Sequence, residues 1–257
     1  KDFLELFPSV ICICTASTGR THIDLDYAKK SGVSVICIKS ELETLKKVTS
    51  TADLALTLSL LANRKILTAV RDVELGNWDY EKFIGRQFDE LTVGVIGLGR
   101  LGSIYARYFY ALGSNVVYFD PYVNDEKYER LNTLNDVFSR CDIISLHIHA
   151  SKNNNQLIND NILRLRRDNL ILVNTSRGEI VDEDDILKNL NSDRNFIYAT
   201  DVITDENKLV KDNKLLKANE KLNNLIITPH IGGMSHGAQK LAYHKAVDLL
   251  ESYVEEL

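Results

Sequence analysis

Short apolar runs rich in β-branched residues, separated by polar turns, recur along most of the chain. Two runs near its start, at 10–15 and 33–39, predict buried strands, and the segment 24–30 between them predicts a short helix that ends at Gly32. Apolar residues at helical spacing then predict one long helix over 51–70. The first third of the chain therefore reads as a β-α-β unit followed by a helix.

A more regular alternation of strands and helices begins near Leu91. The strands are predicted at 92–96, 115–119, 142–148, 170–174, 196–201 and 225–228. The helices are predicted at 101–112, 156–165 and 184–191, with a final amphipathic helix within 237–255. This alternation indicates a parallel sheet covered on both faces. The expected fold class is α/β: a doubly wound parallel sheet with a second, smaller domain.

Composition excludes several classes of protein. The chain has 257 residues, 44% of them hydrophobic, which is enough for two packed cores. A net charge of −5 offers no basic field for nucleic acid. The most apolar stretch, 54–62, is too short to span a bilayer, and no signal-peptide pattern opens the sequence. We expect a soluble protein whose partner is neither nucleic acid nor membrane.

Each cysteine lies inside an apolar run; they are Cys12, Cys14, Cys37 and Cys141. A zinc site would place paired ligands on turns, whereas a C-x-C within a strand places both sulfurs on one face. Small buried thiols in a reducing cytoplasm are the simpler interpretation, so we predict a cytoplasmic protein without a bound metal.

A glycine-rich loop, G-L-G-R-L-G at 97–102, follows the strand predicted at 92–96 and opens a predicted helix. In that context the glycines let the backbone approach a pyrophosphate at the helix N-terminus. Asp120 lies 18 residues after Gly102, at the end of the next predicted strand. Its carboxylate is placed to bind the adenosine ribose hydroxyls and to repel a 2′-phosphate, which favours NAD over NADP. The alternative is a strand-end Asp that only starts a turn at Pro121.

Three further motifs follow predicted strands, where open α/β sheets bind ligands. Arg177, in N-T-S-R-G, has a planar guanidinium that suits a carboxylate; the alternative is a structural Arg paired with an Asp. His230, in T-P-H-I-G-G, is placed for proton transfer; the alternative is a half-buried, hydrogen-bonded His. Glu206 or Asp205 could orient His230; the alternative is a solvated acidic loop.

Taken together, these motifs resemble the D-isomer-specific 2-hydroxyacid dehydrogenases, the family that includes D-3-phosphoglycerate dehydrogenase. The matching motifs run in the family's order: A-S-T-G-R-T-H-I-D-L (16–25), T-A-D (51–53), G-N-W (76–78), G-L-G-R-L-G (97–102), F-D-P-Y (119–122), L-H-I-H-A-S (146–151), N-T-S-R-G (174–178), A-T-D-V (199–202) and T-P-H-I-G-G (228–233).

The resemblance implies a catalytic trio: Arg177 binds the substrate carboxylate, His230 donates the proton, and Glu206 is its acidic partner. The family's Glu lies five residues after its Asp, which matches Glu206 after Asp201 rather than Asp205. The related formate dehydrogenases carry Gln there, so Glu206 argues against them. The loop that cradles the substrate carboxylate is matched by Ser17, Thr18 and Gly19.

The resemblance also implies NAD as cofactor and a set of residues that contact it. Arg100 and Leu101 would line the pyrophosphate, and Asp201 would bind the nicotinamide carboxamide. The full set is Gly97, Gly99, Arg100, Leu101, Gly102, Asp120, His147, Ser151, Thr175, Ser176, Asp201, His230, Gly232 and Gly233.

By the same resemblance, 51–235 is the Rossmann domain that binds NAD. Residues 1–50 and 236–257 would form the smaller, flavodoxin-like, substrate-binding domain. That domain is incomplete here, because the opening β-α units of the family are absent. A homodimer is expected through the region from the long helix to Trp78.

Three departures from the family pattern bear on the site. Asn207 stands where the family usually has Pro, and the family's H-x-P reads His147-Ile148-His149. Arg20 replaces a small residue in the substrate loop, which suggests a second anionic group on the substrate or simply an exposed Arg.

The expected activity is reversible hydride transfer between NADH and a 2-oxo acid. The alternatives are a cofactor-sensing corepressor and a truncated paralogue that binds NAD without turnover.

Overall fold

The structure is a computed structural model that describes residues 2–20, 22–206 and 212–257. It divides the chain into two units, a smaller one of Lys1–Ser50 with Gly233–Leu257 and a larger one of Thr51–Gly232. The strands are β1 (Cys12–Thr15), β2 (Ser34–Cys37), β3 (Thr92–Ile96), β4 (Asn115–Phe119), β5 (Glu129–Arg130), β6 (Ile143–Leu146), β7 (Ile171–Asn174), β8 (Ile197–Thr200) and β9 (Leu225–Ile227).

α-Helices follow most of these strands, and several lie in succession between β2 and β3. The α-helices are α1 (Asp2–Leu6), α2 (Leu25–Lys30), α3 (Leu42–Lys46), α4 (Ser50–Asn63), α5 (Ile66–Glu74), α6 (Arg100–Ala111), α7 (Leu134–Arg140), α8 (Asp160–Leu163), α9 (Glu183–Ser192), α10 (Lys214–Asn219) and α11 (His236–Glu255).

The larger unit is built on a seven-stranded sheet in the order β5-β4-β3-β6-β7-β8-β9, with every pair of neighbours parallel. The strand order reverses between β3 and β6, so the crevice at the carboxyl ends of these two strands is the expected ligand site. The predicted doubly wound parallel sheet is confirmed.

Successive residues of each strand pack into two different cores, because side chains alternate between the faces of a sheet. On β6, Ile143 packs with Phe109 of α6, whereas Ile144 packs in the cluster that contains Phe138 of α7 and Leu190 of α9. All five side chains are fully buried. Helices therefore cover both faces, and the buried strands read as nearly continuous apolar runs.

The smaller unit holds a two-stranded parallel sheet in which Cys12 pairs with Ser34 and Thr15 with Cys37. Asp24 caps α2 by accepting the Tyr27 N–H, and Gly32 takes a left-handed φ of 71° after the helix. Along the second core of this unit, Ala246 of α11 packs with Ile38 and Leu45. The helix and both strands predicted for this part of the chain are present.

The prediction of one continuous helix over 51–70 is wrong. Lys65 adopts a left-handed backbone, with φ 50° and ψ 34°, and separates α4 from α5. The chain returns against the end of α4, where Asn63 donates a hydrogen bond to the Arg86 carbonyl and Gly85 approaches the Asn63 carbonyl closely. Apolar spacing alone cannot detect this packing, because it comes from a segment more than twenty residues further along the chain.

The helix predicted over 156–165 is also corrected, since only Asp160–Leu163 is helical. Gln156 has a left-handed φ of 49°, and Asn159 caps the short helix. Conversely, α7 was not predicted, although Thr133 and Asp136 form a reciprocal capping box at its start. A Thr followed three residues later by Asp is the signal that would have found it.

The cysteines carry free thiols, with only Cys141 fully buried. Among the described residues, no helix combines the length and apolar character needed to cross a bilayer.

Candidate active site

The glycine loop lies between β3 and α6, beside the point where the strand order reverses. Gly97 has a left-handed φ of 91°, and a side chain there would come within 2.7 Å of the His147 carbonyl oxygen. A side chain on Gly102 would overlap the Gly97 carbonyl. These two glycines let strand and helix pack closely, as a dinucleotide-binding turn requires.

Gly99 serves a different purpose, because an added side chain there would meet no atom within 4 Å. It is the N-cap of α6 and provides no side-chain hydrogen bond. The N-cap position of this twelve-residue helix therefore has no side chain, and the space beside it is open among the described residues. A helix N-terminus of this kind binds phosphate groups.

Asp120 follows β4 and is 8% exposed. Its carboxylate accepts backbone N–H groups of Leu98, at 2.9 Å, and of Tyr122 and Val123, at 2.8 and 3.0 Å. The carboxylate therefore joins the glycine loop to the turn after β4. Asp120 thus does form the turn at Pro121 that the sequence analysis gave as the alternative role. Since a carboxylate has about four acceptor positions and three are used here, one remains for a ribose hydroxyl.

Thr175 provides an independent indication of a ligand on this edge of the sheet. It is 7% exposed, and its Oγ1 is buried without a hydrogen-bond partner among the described residues. Buried hydroxyls in native proteins are almost always paired, so an orphaned one next to a binding crevice points to a missing polar partner. The open Gly99 and the orphaned Thr175 hydroxyl both fit a bound dinucleotide.

His147 directly follows β6, and its ring packs against that of Tyr105 with centroids 5.0 Å apart. Its Nε2 lies 2.9 Å from Ser145 Oγ. Burial lowers the pKa of His147 to about 3, so the ring is neutral at physiological pH.

Where the family has a proline, the loop after His147 is held by a side chain instead. Asn154 donates to the His149 carbonyl at 2.6 Å and accepts from both the backbone N–H and the hydroxyl of Ser151, at 2.6 and 2.8 Å. The hydrogen bonds of the Asn154 side-chain amide thus hold this loop closed, at a place where the family's H-x-P motif uses a rigid proline.

The loop after β7 carries Arg177. Buried Asn174 fixes this loop by accepting the Ser176 N–H at 3.0 Å and donating to the Arg177 carbonyl at 2.9 Å. Ser176 Oγ donates to the Leu146 carbonyl at 2.6 Å, which ties the loop to β6. The half-buried Arg177 guanidinium donates to the Ser176 carbonyl, and no carboxylate among the described residues pairs with it. The alternative of a structural Arg–Asp pair finds no support there.

Gly178 allows this loop to approach the one after β8. An added side chain would overlap the Ile203 carbonyl carbon and the Thr204 nitrogen. Only a glycine permits two backbone segments to pass at this distance.

Asp201, at the end of β8, organises the loop that carries His230. Its carboxylate is 1% exposed and accepts the Thr228 hydroxyl at 2.5 Å and the backbone N–H groups of Ile231 and Gly232 at 2.8 and 2.7 Å. Its own carbonyl accepts the His230 N–H at 2.9 Å. The loop after β9 is therefore fixed from beneath by one buried carboxylate.

His230 and Glu206 form a hydrogen-bonded pair, with Nδ1 2.8 Å from Oε2. The His230 side chain is 45% exposed and that of Glu206 is 26% exposed. His230 has a left-handed φ of 54°, an uncommon conformation for a non-glycine residue. The imidazole can therefore reach a ligand through Nε2 while Nδ1 remains oriented by a carboxylate.

Glu183, which supports the segment before Glu206, was not predicted from the sequence. Its carboxylate, in the first turn of α9, accepts the Thr204 N–H at 2.6 Å and the Asn213 side-chain amide at 3.0 Å. An acidic residue in a first helical turn is too common to be singled out from sequence.

The predicted site residues of the larger unit follow strands of one sheet and share its carboxyl edge. Ser17, Thr18 and Gly19 lie in the smaller unit, where Ser17 Oγ donates to the Gly19 carbonyl at 2.6 Å. Arg20 and Thr18 are exposed, and Asn207 lies outside the described residues.

Comparison with known proteins identifies the family. Residues 56–232 match the NAD binding domain of the D-isomer specific 2-hydroxyacid dehydrogenases. This match covers most of the chain, and the chain belongs to that family.

Individual relatives carry the names of different enzymes. The chain is 32% identical over 247 residues to a D-3-phosphoglycerate dehydrogenase of Methanocaldococcus jannaschii, covering 94% of this chain and 45% of that protein. It is 29% identical to a hydroxypyruvate reductase of Thermotoga maritima, covering 100% of this chain and 80% of the relative. The chain thus spans less than half of the phosphoglycerate dehydrogenase.

Among solved structures, the chain is similar to the D-lactate dehydrogenase of Aquifex aeolicus, determined with NAD and lactic acid. The TM-score is 0.83 at 29% identity, covering 100% of this chain and 80% of that one.

Proposed function

We propose that the protein catalyses reversible, NAD-dependent interconversion of a 2-oxo acid and a D-2-hydroxy acid. The observation that carries this proposal is the His230–Glu206 pair, 2.8 Å apart, on the same sheet edge as Arg177, whose guanidinium pairs with no carboxylate in the part of the chain that the structure describes. A cation for the substrate carboxylate and an oriented imidazole are the two groups that this chemistry needs from the protein.

In the reductive direction, Arg177 would bind the substrate carboxylate through its planar guanidinium. Protonated His230 would deliver a proton from Nε2 to the carbonyl oxygen as it becomes the hydroxyl. Glu206, bonded to Nδ1, would fix the ring and stabilise its positive charge. In the oxidative direction His230 would take the same proton back.

NAD(H) would be held by the glycine loop and the N-terminus of α6, with Asp120 toward the ribose and Thr175 offering its buried hydroxyl. When bound, the nicotinamide supplies or accepts the hydride. The protein's part is to position the substrate carbon beside it and to manage the proton.

The test is oxidation of NADH against glyoxylate, pyruvate, hydroxypyruvate, phosphohydroxypyruvate and 2-oxoglutarate. We expect turnover with at least one of them. His230→Ala should reduce kcat by about 10²- to 10⁴-fold, the usual contribution of a general acid, with the NADH dissociation constant nearly unchanged. Tight NADH binding without turnover on any substrate would instead favour a cofactor-sensing or inactive member of the family.

Arg20 bears on the substrate class. It is exposed in the loop after β1 and would bind a second anionic group, such as a phosphate. Arg20→Ala should raise KM for phosphohydroxypyruvate more than for hydroxypyruvate, since the two differ only in that phosphate. Equal changes in both KM values would leave Arg20 as a surface residue.

We also propose a homodimer formed through α5 and the segment that follows it. No residue of α5 is buried; Val70 and Val73 are 51% and 53% exposed, and Trp78 is 88% exposed. A one-sided apolar helix with no buried residue is suited to an interface. Sedimentation should give a dimer mass, and Val70→Lys combined with Trp78→Lys should give a monomer.

A further inference from the structure

The T-A-D motif at 51–53 lies in the first turn of α4, and the proposed chemistry gives it no part. Thr51 Oγ1 donates a hydrogen bond to the Gly232 carbonyl at 3.1 Å, although the two residues are 181 positions apart in sequence. Gly232 is the second residue after His230, in the loop that follows β9. The start of α4 therefore contacts the end of the loop that carries the imidazole.

Gly232 is held by a side chain on each side of its backbone. Asp201 Oδ2 accepts its N–H at 2.7 Å, and the Thr51 hydroxyl binds its carbonyl. A carbonyl oxygen can only accept, so Thr51 is the donor. No other donor among the described residues bonds to this carbonyl. Thr51 and Asp201 thus hold opposite sides of the same residue.

The close approach of Thr51 requires a glycine at position 232. Gly232 is buried, and an added side chain there would come within 3.2 Å of Thr51 Cγ2. That separation is shorter than the roughly 3.5–4.0 Å at which two carbon atoms pack best. The missing side chain therefore lets the hydroxyl reach the backbone that it binds.

The hydrogen bond matters because the peptide unit that it holds joins two glycines. Neither Gly232 nor Gly233 carries a Cβ, so the peptide between them can rotate at little steric cost. Gly233 is exposed, and an added side chain there would meet no described atom within 4 Å. Packing around Gly233 therefore does not fix this peptide, whereas a hydrogen bond to its carbonyl does.

The Thr51 hydroxyl is carried on a helix that is itself anchored. Ala52 and Ala55 are 0% exposed and belong to the same buried cluster as Phe109 of α6. Asp53 accepts the Tyr108 hydroxyl of α6 at 2.6 Å. The start of α4 is therefore fixed to the helix that follows the glycine loop.

We propose that Thr51 is a positioning residue for proton transfer: by binding the Gly232 carbonyl, its hydroxyl keeps the loop in the conformation that presents His230 to the substrate. Asp53 supports Thr51 by fixing α4 to α6. The inference rests on the proposed function for the role of His230, whereas the contact between Thr51 and the loop does not depend on it.

Thr51→Val tests the hydroxyl, because valine keeps the shape of the side chain and loses the donor. In the free protein, the amides of Ile231 and Gly232 should exchange with deuterium about three- to tenfold faster, the change expected for the loss of one hydrogen bond. The kcat for reduction of a 2-oxo acid should fall by a similar factor, while the NADH dissociation constant stays the same.

Thr51→Ser and Thr57→Val are the matched controls. Serine keeps the hydroxyl, so Thr51→Ser should retain the kcat and the exchange rates of the unmodified protein. Thr57 is exposed on the same helix, and its hydroxyl donates to the Asp53 carbonyl at 2.8 Å. Thr57→Val removes the same chemical group away from the loop and should change neither quantity.

The proposal is overturned if Thr51→Val matches Thr57→Val in both measurements, or if the loop amides exchange faster while kcat is unchanged. It is also overturned if Thr51→Ser loses as much activity as Thr51→Val. If the unmodified protein reduces no 2-oxo acid, the proposed function fails, whereas amide exchange still decides whether Thr51 holds the loop.

Discussion

On the β3–β6 side of the sheet the binding edge is shaped largely by missing side chains, whereas on the β7–β9 side it is held by buried polar ones. Gly97, Gly99 and Gly102 create close approach and open space in the first region. In the second, Asn174 and Asp201 bind the backbone of the loops that carry Arg177 and His230. The first region presents open backbone to a ligand, and the second presents the side chains of Arg177 and His230 in positions that their loops determine.

This difference has a physical basis. A pyrophosphate is bound by backbone N–H groups, so what matters is that nothing blocks them. Proton transfer and carboxylate binding depend on the position of side-chain atoms, so their loops have to be immobilised. Substitutions should therefore affect ligand binding in the first region and loop structure in the second.

The largest contrast should come from Gly178→Ala against Gly99→Ala. The first methyl would overlap the backbone at Ile203 and Thr204, which cannot rotate away, so we expect a loss of about 3 kcal/mol and a fall in Tm of about 6–12 °C. Gly99→Ala meets no atom within 4 Å and should keep Tm within about 2 °C while weakening NADH binding. Thermal unfolding and NADH titration of both variants separate the two effects, and equal Tm values would remove the contrast.

Asp201→Asn should produce the next largest effect. The amide would turn an N–H toward a backbone donor, either Ile231 or Gly232, in a site that is 1% exposed. An unsatisfied buried donor costs about 2 kcal/mol. We expect that loss in denaturant unfolding, together with a lower kcat, because the His230 loop shifts. Full kcat in this variant would show that the loop does not depend on the carboxylate.

Glu206→Gln should lower turnover rather than change the fold. The Glu206 carboxylate forms a 2.8 Å hydrogen bond with His230 Nδ1, and a neutral amide makes a weaker hydrogen bond to the ring than a carboxylate does. We therefore expect kcat for reduction to fall by about tenfold. Asp205→Asn, which alters the neighbouring carboxylate, is the control and should leave kcat unchanged. Equal kcat values for both variants and the unmodified protein would remove Glu206 from the mechanism.

The smallest expected effect concerns acid stability. The native state binds a proton at His147 only near pH 3, because burial lowers its pKa to about 3, whereas an unfolded His does so near about 6.5. As pH falls below that value the unfolded state takes up the proton first, so stability is lost. His147→Gln should remove about 1 kcal/mol of the decline in unfolding free energy between pH 6 and 5. The prediction would be contradicted if the unfolding free energies of the two proteins declined equally between pH 6 and 5.

The two regions also differ in how far the sequence predicts them. The limits of β3 and β4 agree with prediction to the residue, because their apolar runs are bounded by the glycine loop and by Asp120. The motifs alone left Glu206 and Asp205 as alternative partners of His230, and only the family resemblance favoured Glu206, which lies 24 positions before His230. Two other features were not predicted: the end of α4 at Lys65, and the hydrogen bonds by which Asn154 closes the loop after His147. Both depend on contacts between distant or irregular segments, and such contacts leave no periodic pattern in the sequence.

Asp201 also sets the timescale on which the loop that carries His230 can move. The amide hydrogens of His230, Ile231 and Gly232 all bond to atoms of this one residue at the end of β8. They can exchange with solvent only when the end of the sheet opens, so they should be among the slower amides to take up deuterium. Catalytic turnover would then be limited by the binding and release of ligands. The loop that carries the His230 imidazole would keep its hydrogen bonds to Asp201 from one catalytic cycle to the next.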